Sequence, residues 1–233
     1  NKMKKSKFFR FFAFSIIALL LVACGNDEDD TIENEEGVLN VVSTFSILSD
    51  MVEEIGGDYV HVHNLVPIGT DPHDYEPLPE DIKAAPDADV LFYNGLNLEG
   101  GERGWFFRLV NSVNQSEDNV YKATQGIEPM YLADEEGNQE VNPHAFISPK
   151  VGIQMTKNIR DALIESMPEQ TDYFQKQADE YLSQLEKIDQ DYTEKIGEIP
   201  EEDRIFIASE QSFQYMTAEY GLKEGYIWAI DTD

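Results

Sequence analysis

From residue 38 onward, short apolar runs alternate with stretches in which apolar residues recur at helical spacing. Residues 38–43 read as a buried strand. Ile47, Leu48, Met51, Val52 and Ile55 then fall on one helical face, and Gly56-Gly57 stops that helix. Residues 59–66 predict a second strand and 90–93 a third, with a short helix around 81–85 before it and another helix over 105–113. Strands alternating with helices imply βαβ units and a mostly parallel sheet.

The longest regular pattern follows. Residues 150–166 are amphipathic, and after Pro168 the residues Phe174, Ala178, Tyr181, Leu185, Ile188 and Tyr192 alternate steps of four and three. Gly197 and Pro200 end the pattern. A helix over 169–196 would be roughly 40 Å long, enough to cross a small domain. A coiled-coil dimer is the alternative, but two tyrosines and an alanine make a poor short seam, and a helix packed across two lobes fits better. Residues 205–208 then predict a strand, 213–220 a helix and 226–230 another strand. One βαβ unit of about 33 residues cannot bury its own core, since domains below roughly 40 residues need staples or partners. Either it joins the first sheet or the chain is a fragment of a longer protein, and the fragment is the expectation. The expected fold class is therefore α/β: two lobes with parallel sheets joined by a long rigid helix. The first lobe spans 38–166, the helix 167–198, and an incomplete second lobe 199–233.

Composition sharpens this at the N-terminus. The 233 residues carry 46 acidic against 17 basic side chains, a net charge of -29, with mean hydropathy -0.43. Such a balance excludes a nucleic-acid partner. Residues 1–24 are the exception: Lys2, Lys4, Lys5, Lys7 and Arg10 precede an apolar run over 11–22 that is too short for an ordinary spanning helix. That is the layout of a secretory signal. Leu21-Val22-Ala23-Cys24-Gly25 resembles the bacterial lipobox, which implies acylation of Cys24 and an anchor on the outer face of a membrane. The lone cysteine excludes a disulfide. Seven of the twelve residues over 26–37 are acidic, so 25–37 reads as a solvated tether. No internal repeat and no phosphate-cradling glycine loop is present in the sequence.

Two of the four histidines sit in similar settings, Asp71-Pro72-His73-Asp74-Tyr75-Glu76-Pro77 and Asn142-Pro143-His144-Ala145-Phe146. Proline stiffens both loops just ahead of the imidazole. In a parallel α/β sheet, loops at the carboxyl ends of strands gather in one crevice. Two imidazoles so held could begin a metal site for Zn, Mn, Fe or Ni. His61-Val62-His63 lies inside a strand, where i and i+2 share a face. No carboxylate is fixed beside that pair in the sequence, and both read as strand-surface residues.

The run from Val66 to Pro77 around His73 resembles the metal-binding lipoproteins that serve bacterial ABC importers of manganese and zinc. The likeness continues through Leu91-Phe92-Tyr93-Asn94-Gly95-Leu96-Asn97-Leu98-Glu99, Asn142-Pro143-His144-Ala145-Phe146, Ser209-Glu210-Gln211-Ser212-Phe213-Gln214-Tyr215 and Tyr226-Ile227-Trp228. The resemblance implies metal ligands at His73, His144 and Glu210. It also implies capture of a divalent cation, delivery to an ABC permease and a monomer that is not an enzyme. Glutamate at 210 and the absence of a His-rich loop between His73 and His144 favour Mn²⁺, with Zn²⁺ the alternative. The family's fourth ligand, a late aspartate, has no counterpart; Asp231 and Asp233 match a connecting segment. Two other classes stay open. One is a surface adhesin; the other is a metal-dependent hydrolase with Glu76 or Asp74 as base.

Overall fold

The computed structural model describes residues 37–133, 137 and 139–229. The expected signal, Cys24 and nearly all of the acidic tether lie outside the described residues, as do Asp231 and Asp233. Strand β1 (Leu39–Ser43) is buried at all five positions because it sits inside a parallel sheet, between β2 (Val60–Asn64) and β3 (Val90–Tyr93). The fourth strand, β4 (Val120–Lys122), extends the parallel order to β2-β1-β3-β4. A strand covered on both faces reads as a near-continuous apolar run, which is why β1 and β3 were legible. As the edge strand, β2 is only half covered, and its His61 is exposed as expected.

Helix α1 (Ser46–Gly56) buries Leu48, Met51, Val52 and Ile55 on one face. It ends at Gly57, whose φ of 52° suits glycine. A Cβ there would collide with the Tyr173 hydroxyl of the long helix. Helix α2 (Pro79–Ala84) and α3 (Trp105–Ser112) follow, then an antiparallel pair, β5 (Tyr131–Ala133) with β6 (Gln139–Val141). The three-residue strands β4, β5 and β6 are too short to leave a period in the sequence.

Helix α4 (Pro149–Ser166) leads through a single tight turn, Pro168–Gln170, into α5 (Thr171–Gly197), 27 residues and about 40 Å long. The expected start at 169 falls in that turn, because Pro168 takes its first position. Only the first half of the α5 seam is buried. Phe174, Ala178 and Leu182 pack toward α1 and α4, and Tyr173 meets Tyr59 edge-on at 4.8 Å. Further along, Ile188 is 43% exposed.

After α5 come β7 (Ile205–Ile207), α6 (Gln214–Glu219) and β8 (Lys223–Gly225), with β7 and β8 paired in parallel. The expected strand over 226–230 is thus displaced three residues earlier. Backbone pairing places Lys223, Glu224 and Gly225 opposite β7, while Ile227 is 79% exposed and, with Trp228, returns to the residues after β7 through N–H donation to the Ser209 carbonyl and the Trp228–Glu210 bridge. Ile207 of β7 is 75% exposed as well, so apolar content here does not report burial. Among the described residues no helix is long and apolar enough to cross a membrane.

The asymmetry of α5 has a measurable consequence. Phe174→Ala should lower stability by about 3–5 kcal/mol, whereas Ile188→Ala should stay within about 0.5 kcal/mol. Urea unfolding midpoints of the two variants check this; equal losses would mean the exposed half of α5 is packed after all.

Candidate metal centre

The chain leaves β2 at the carboxyl edge of the sheet, where Leu65 and Val66 donate their N–H groups to the carbonyls of Ser43 (2.9 Å) and Thr44 (3.1 Å). The following loop presents His73 to solvent. Asp71 Oδ1 accepts the His73 N–H at 2.8 Å, a tight turn of the kind Asx residues favour. Trp105 Nε1 donates to the Pro72 carbonyl at 2.8 Å. Downstream, the buried Asp81 carboxylate accepts the Tyr75 hydroxyl and the Leu78 N–H, each at 2.7 Å, and lies 2.7 Å from His63 Nε2. The His73 loop is therefore pinned on both flanks. This corrects one expectation: His63 does have a fixed carboxylate beside it, brought from α2 by folding rather than by spacing.

The second loop repeats the turn. Asn142 Oδ1 accepts the His144 N–H at 3.1 Å and lies 2.9 Å from His144 Nδ1. His144 opens a single tight turn, His144–Ile147, against which α6 packs. It is only 9% exposed, with its ring edge-on to His73 at 5.4 Å between centroids. Burial pushes this imidazole down to about 4, the neighbouring His73 adds to the drop and Asp71 opposes it. His144 is thus neutral at physiological pH.

Glu210 follows β7 and is fixed by its bridge to Trp228, reinforced by the Gln211 N–H donating to the Trp228 carbonyl at 3.0 Å. Its Oε1 lies 3.6 Å from His144 Nε2. With the ring neutral this contact is not an ion pair. His73, His144 and Glu210 line one cavity of about 650 Å³ together with Asp71, Asp74 and Glu140. Among the described residues no three His, Cys, Asp or Glu side chains close into a finished metal cage. The convergence is pairwise, His73 to His144 and His144 to Glu210. Asp74 lines the cavity, whereas Glu76 is exposed and does not. Residue types alone assign no role to Asn142, Asp81 or Glu99. An Asx residue two positions before a histidine, seen twice, was the available signal for the first.

The profile of the family described as "Zinc-uptake complex component A periplasmic" matches residues 41–233. The manganese ABC transporter substrate-binding lipoprotein PsaA of Streptococcus mitis is 37% identical over 223 residues, 95% of this chain and 72% of that protein. The iron ABC transporter substrate-binding lipoprotein MtsA of Streptococcus pyogenes serotype M1 is 40% identical over 217 residues, 92% of this chain and 69% of that one. Among solved structures, a Mn-bound periplasmic metal binding protein from candidatus liberibacter asiaticus superposes with a TM-score of 0.72 at 28% identity. That likeness covers 83% of this chain and 70% of that one. Zn(II)-bound AdcA from Streptococcus pneumoniae gives a TM-score of 0.70 at 29% identity, over 83% of this chain and 40% of that one. The chain thus spans about 70% of the length of these curated relatives and less than half of AdcA.

The depressed imidazole sets a pH window. An unfolded His144 takes up its proton near 6.5, while the folded one refuses it until about 4. Stability is therefore lost as pH falls between those values, because the unfolded state binds more protons there. In the metal-free protein, the stability difference between wild type and His144→Gln should move in favour of the variant as pH drops from about 6.5 to about 4. The NMR titration of His144 should have its midpoint near the lower end. A midpoint near 6.5 would refute the buried, neutral ring.

Proposed function

The chain belongs to the zinc-uptake complex component A family, and from that premise we propose that it is an extracytoplasmic receptor that captures a divalent transition metal for an ABC importer. His73, His144 and Glu210 would be the ligands, with Mn²⁺ the favoured cargo and Zn²⁺ the alternative. The observation that carries this reading is the facing pair at 3.6 Å, His144 Nε2 and Glu210 Oε1, with the His73 ring edge beside it. Two imidazoles and a carboxylate form a mixed N/O donor set. It suits first-row divalent ions, and a carboxylate is the harder ligand that accommodates Mn²⁺. The sequence match to relatives named for manganese and iron transport supports the same cargo class.

The wider assignments belong to the same proposal. Residues 1–24 would be a lipoprotein signal, with acylated Cys24 anchoring the chain by the 25–37 tether on the outer face of the membrane. A first lobe (38–166) and the start of a second (199–233) would be joined by the helix segment 167–198. The protein would act as a monomer, hand its metal to a membrane permease and perform no chemistry on it. Release would come from local change at the exposed His73 loop, since a long helix whose first half packs on α1 and α4 resists wide hinge motion.

Calorimetric titration of Mn²⁺ and Zn²⁺ should give 1:1 binding with a raised melting temperature. His73→Ala and His144→Ala should each weaken Mn²⁺ binding beyond the roughly 10–100-fold typical of losing an outer-shell partner. Glu210→His should raise the preference for Zn²⁺ over Mn²⁺. Unchanged Mn²⁺ affinity in both histidine variants would end the assignment.

A further inference from the structure

Asn142 is fully buried, and all of its polar atoms are engaged. Its N–H donates to the Met130 carbonyl at 2.8 Å, and its carbonyl accepts the Tyr215 hydroxyl at 2.9 Å. Its Nδ2 donates to the Gln211 carbonyl and to Gln214 Oε1, both at 3.1 Å. Its Oδ1 faces both the backbone N–H and the ring Nδ1 of His144. These partners fix the amide's orientation. A backbone N–H can only donate, so the atom facing His144 is the oxygen; a backbone carbonyl can only accept, so the atom facing Gln211 is the nitrogen. Because Oδ1 accepts, His144 Nδ1 must carry the ring hydrogen, and Nε2 is left with its lone pair toward Glu210.

The opposite tautomer has an obvious attraction. With its hydrogen on Nε2, His144 would draw the Glu210 carboxylate, now 3.6 Å away, into a hydrogen bond, and two metal-binding atoms of the cleft would be spent on each other. We propose that Asn142 is a positioning residue that blocks this self-pairing. Its Oδ1 selects the Nδ1–H tautomer of His144, while its Nδ2 holds the Gln211 backbone and with it the loop carrying Glu210. One buried amide thus sets both the lone pair and the spacing that a divalent cation would meet. The parallel turn at His73 lacks this device, since Asp71 takes the backbone N–H and no ring contact. The inference deepens the metal-receptor reading and rests on it for the role of the lone pair.

The test reads the tautomer directly, in the metal-free full chain, by long-range ¹H–¹⁵N NMR correlation of the His144 ring, alongside Mn²⁺ titration. The wild type should show Nδ1–H, and Asn142→Ala should move the ring toward Nε2–H. The Ala variant should also lose about 10–100-fold in Mn²⁺ affinity, as outer-shell partners of metal-bound histidines do. Asn142→Asp keeps an acceptor at Oδ1 while removing the donor to Gln211. It should retain the Nδ1–H tautomer and recover part of the affinity, and it carries the test if the Ala variant fails to fold. A role in packing alone would not move the tautomer. An Nε2–H ring in the wild type, or an unchanged Nδ1–H ring in Asn142→Ala, overturns the inference whatever the metal does. A tautomer that shifts in Asn142→Ala, while His144→Ala binds Mn²⁺ like the wild type, overturns the metal-receptor reading and leaves the tautomer control standing.

Discussion

A single carboxyl group at the carboxyl edge of the parallel sheet holds the two histidine loops in register. Glu99 is 2% exposed, and its oxygens accept the Thr44 hydroxyl and the Asn94 N–H at 2.7 Å and the Gly95 N–H at 3.1 Å. Burial raises the carboxyl's pKa, and these hydrogen bonds work against that rise. Thr44 directly follows β1, and its carbonyl also receives Val66 as the His73 loop departs. Asn94 directly follows β3, and its Nδ2 donates to the Pro143 carbonyl, one residue before His144. The path back to Glu99 passes through Leu96 and Asn97, both with positive φ (52° and 71°). Non-glycine residues held there cost on the order of 1–3 kcal/mol each unless the surroundings fix them. The hydrogen bonds to Glu99 supply that fixing, so the strained loop and the site's floor stand or fall together.

On that floor the two histidines are mounted by the same turn and then treated differently. Asp71 and Asn142 each cap the N–H two residues on, across a proline that fixes the intervening backbone. An aspartate suffices where the ring stays in water. Where the ring is buried, an amide orients it through Nδ1 without adding a charge beside it. The His73 loop, tied down by Trp105 and Asp81, is thus the solvent-facing wall of the cavity, and His144 is the buried one.

What the sequence made legible follows from how many residues each feature engages. The parallel sheet was readable because β1 and β3 are covered on both faces, and the long helix because its seam repeats over several turns. The last strand was misplaced because the reading equates apolar with buried, whereas Tyr226, Ile227 and Trp228 are exposed and Lys223-Glu224-Gly225 does the pairing. The histidine loops stood out through their prolines. Asp81, Glu99 and the far reach of Asn142 did not, because their distant partners are brought together only by the fold. Asp81 serves a strand 18 positions earlier, Glu99 reaches Thr44 over 55 positions, and Asn142 reaches Gln211 over 69. No window of periodicity spans such distances.

The electrostatics of the cleft then favour a cation over other guests. A lone pair on His144 Nε2 and a carboxylate oxygen of Glu210 face each other at 3.6 Å, two acceptors in a partly dry site. That contact is repulsive as it stands and becomes attractive once positive charge enters, since Coulombic terms grow as water is excluded. Asp71, Asp74 and Glu140 on the same walls add negative potential, and the net charge of -29 repels anions from the whole surface. Long-range attraction fades within about 8 Å at physiological salt, so the surface charge gathers cations but cannot choose among them. Choice falls to geometry. Affinity order alone places Zn²⁺ above Mn²⁺ at any such donor set. A larger ion can win only if the cavity keeps its donors too far apart for a tight tetrahedron. The spacing that would decide between them is set at the buried wall, where an amide and a bridge to Trp228 position His144 and Glu210.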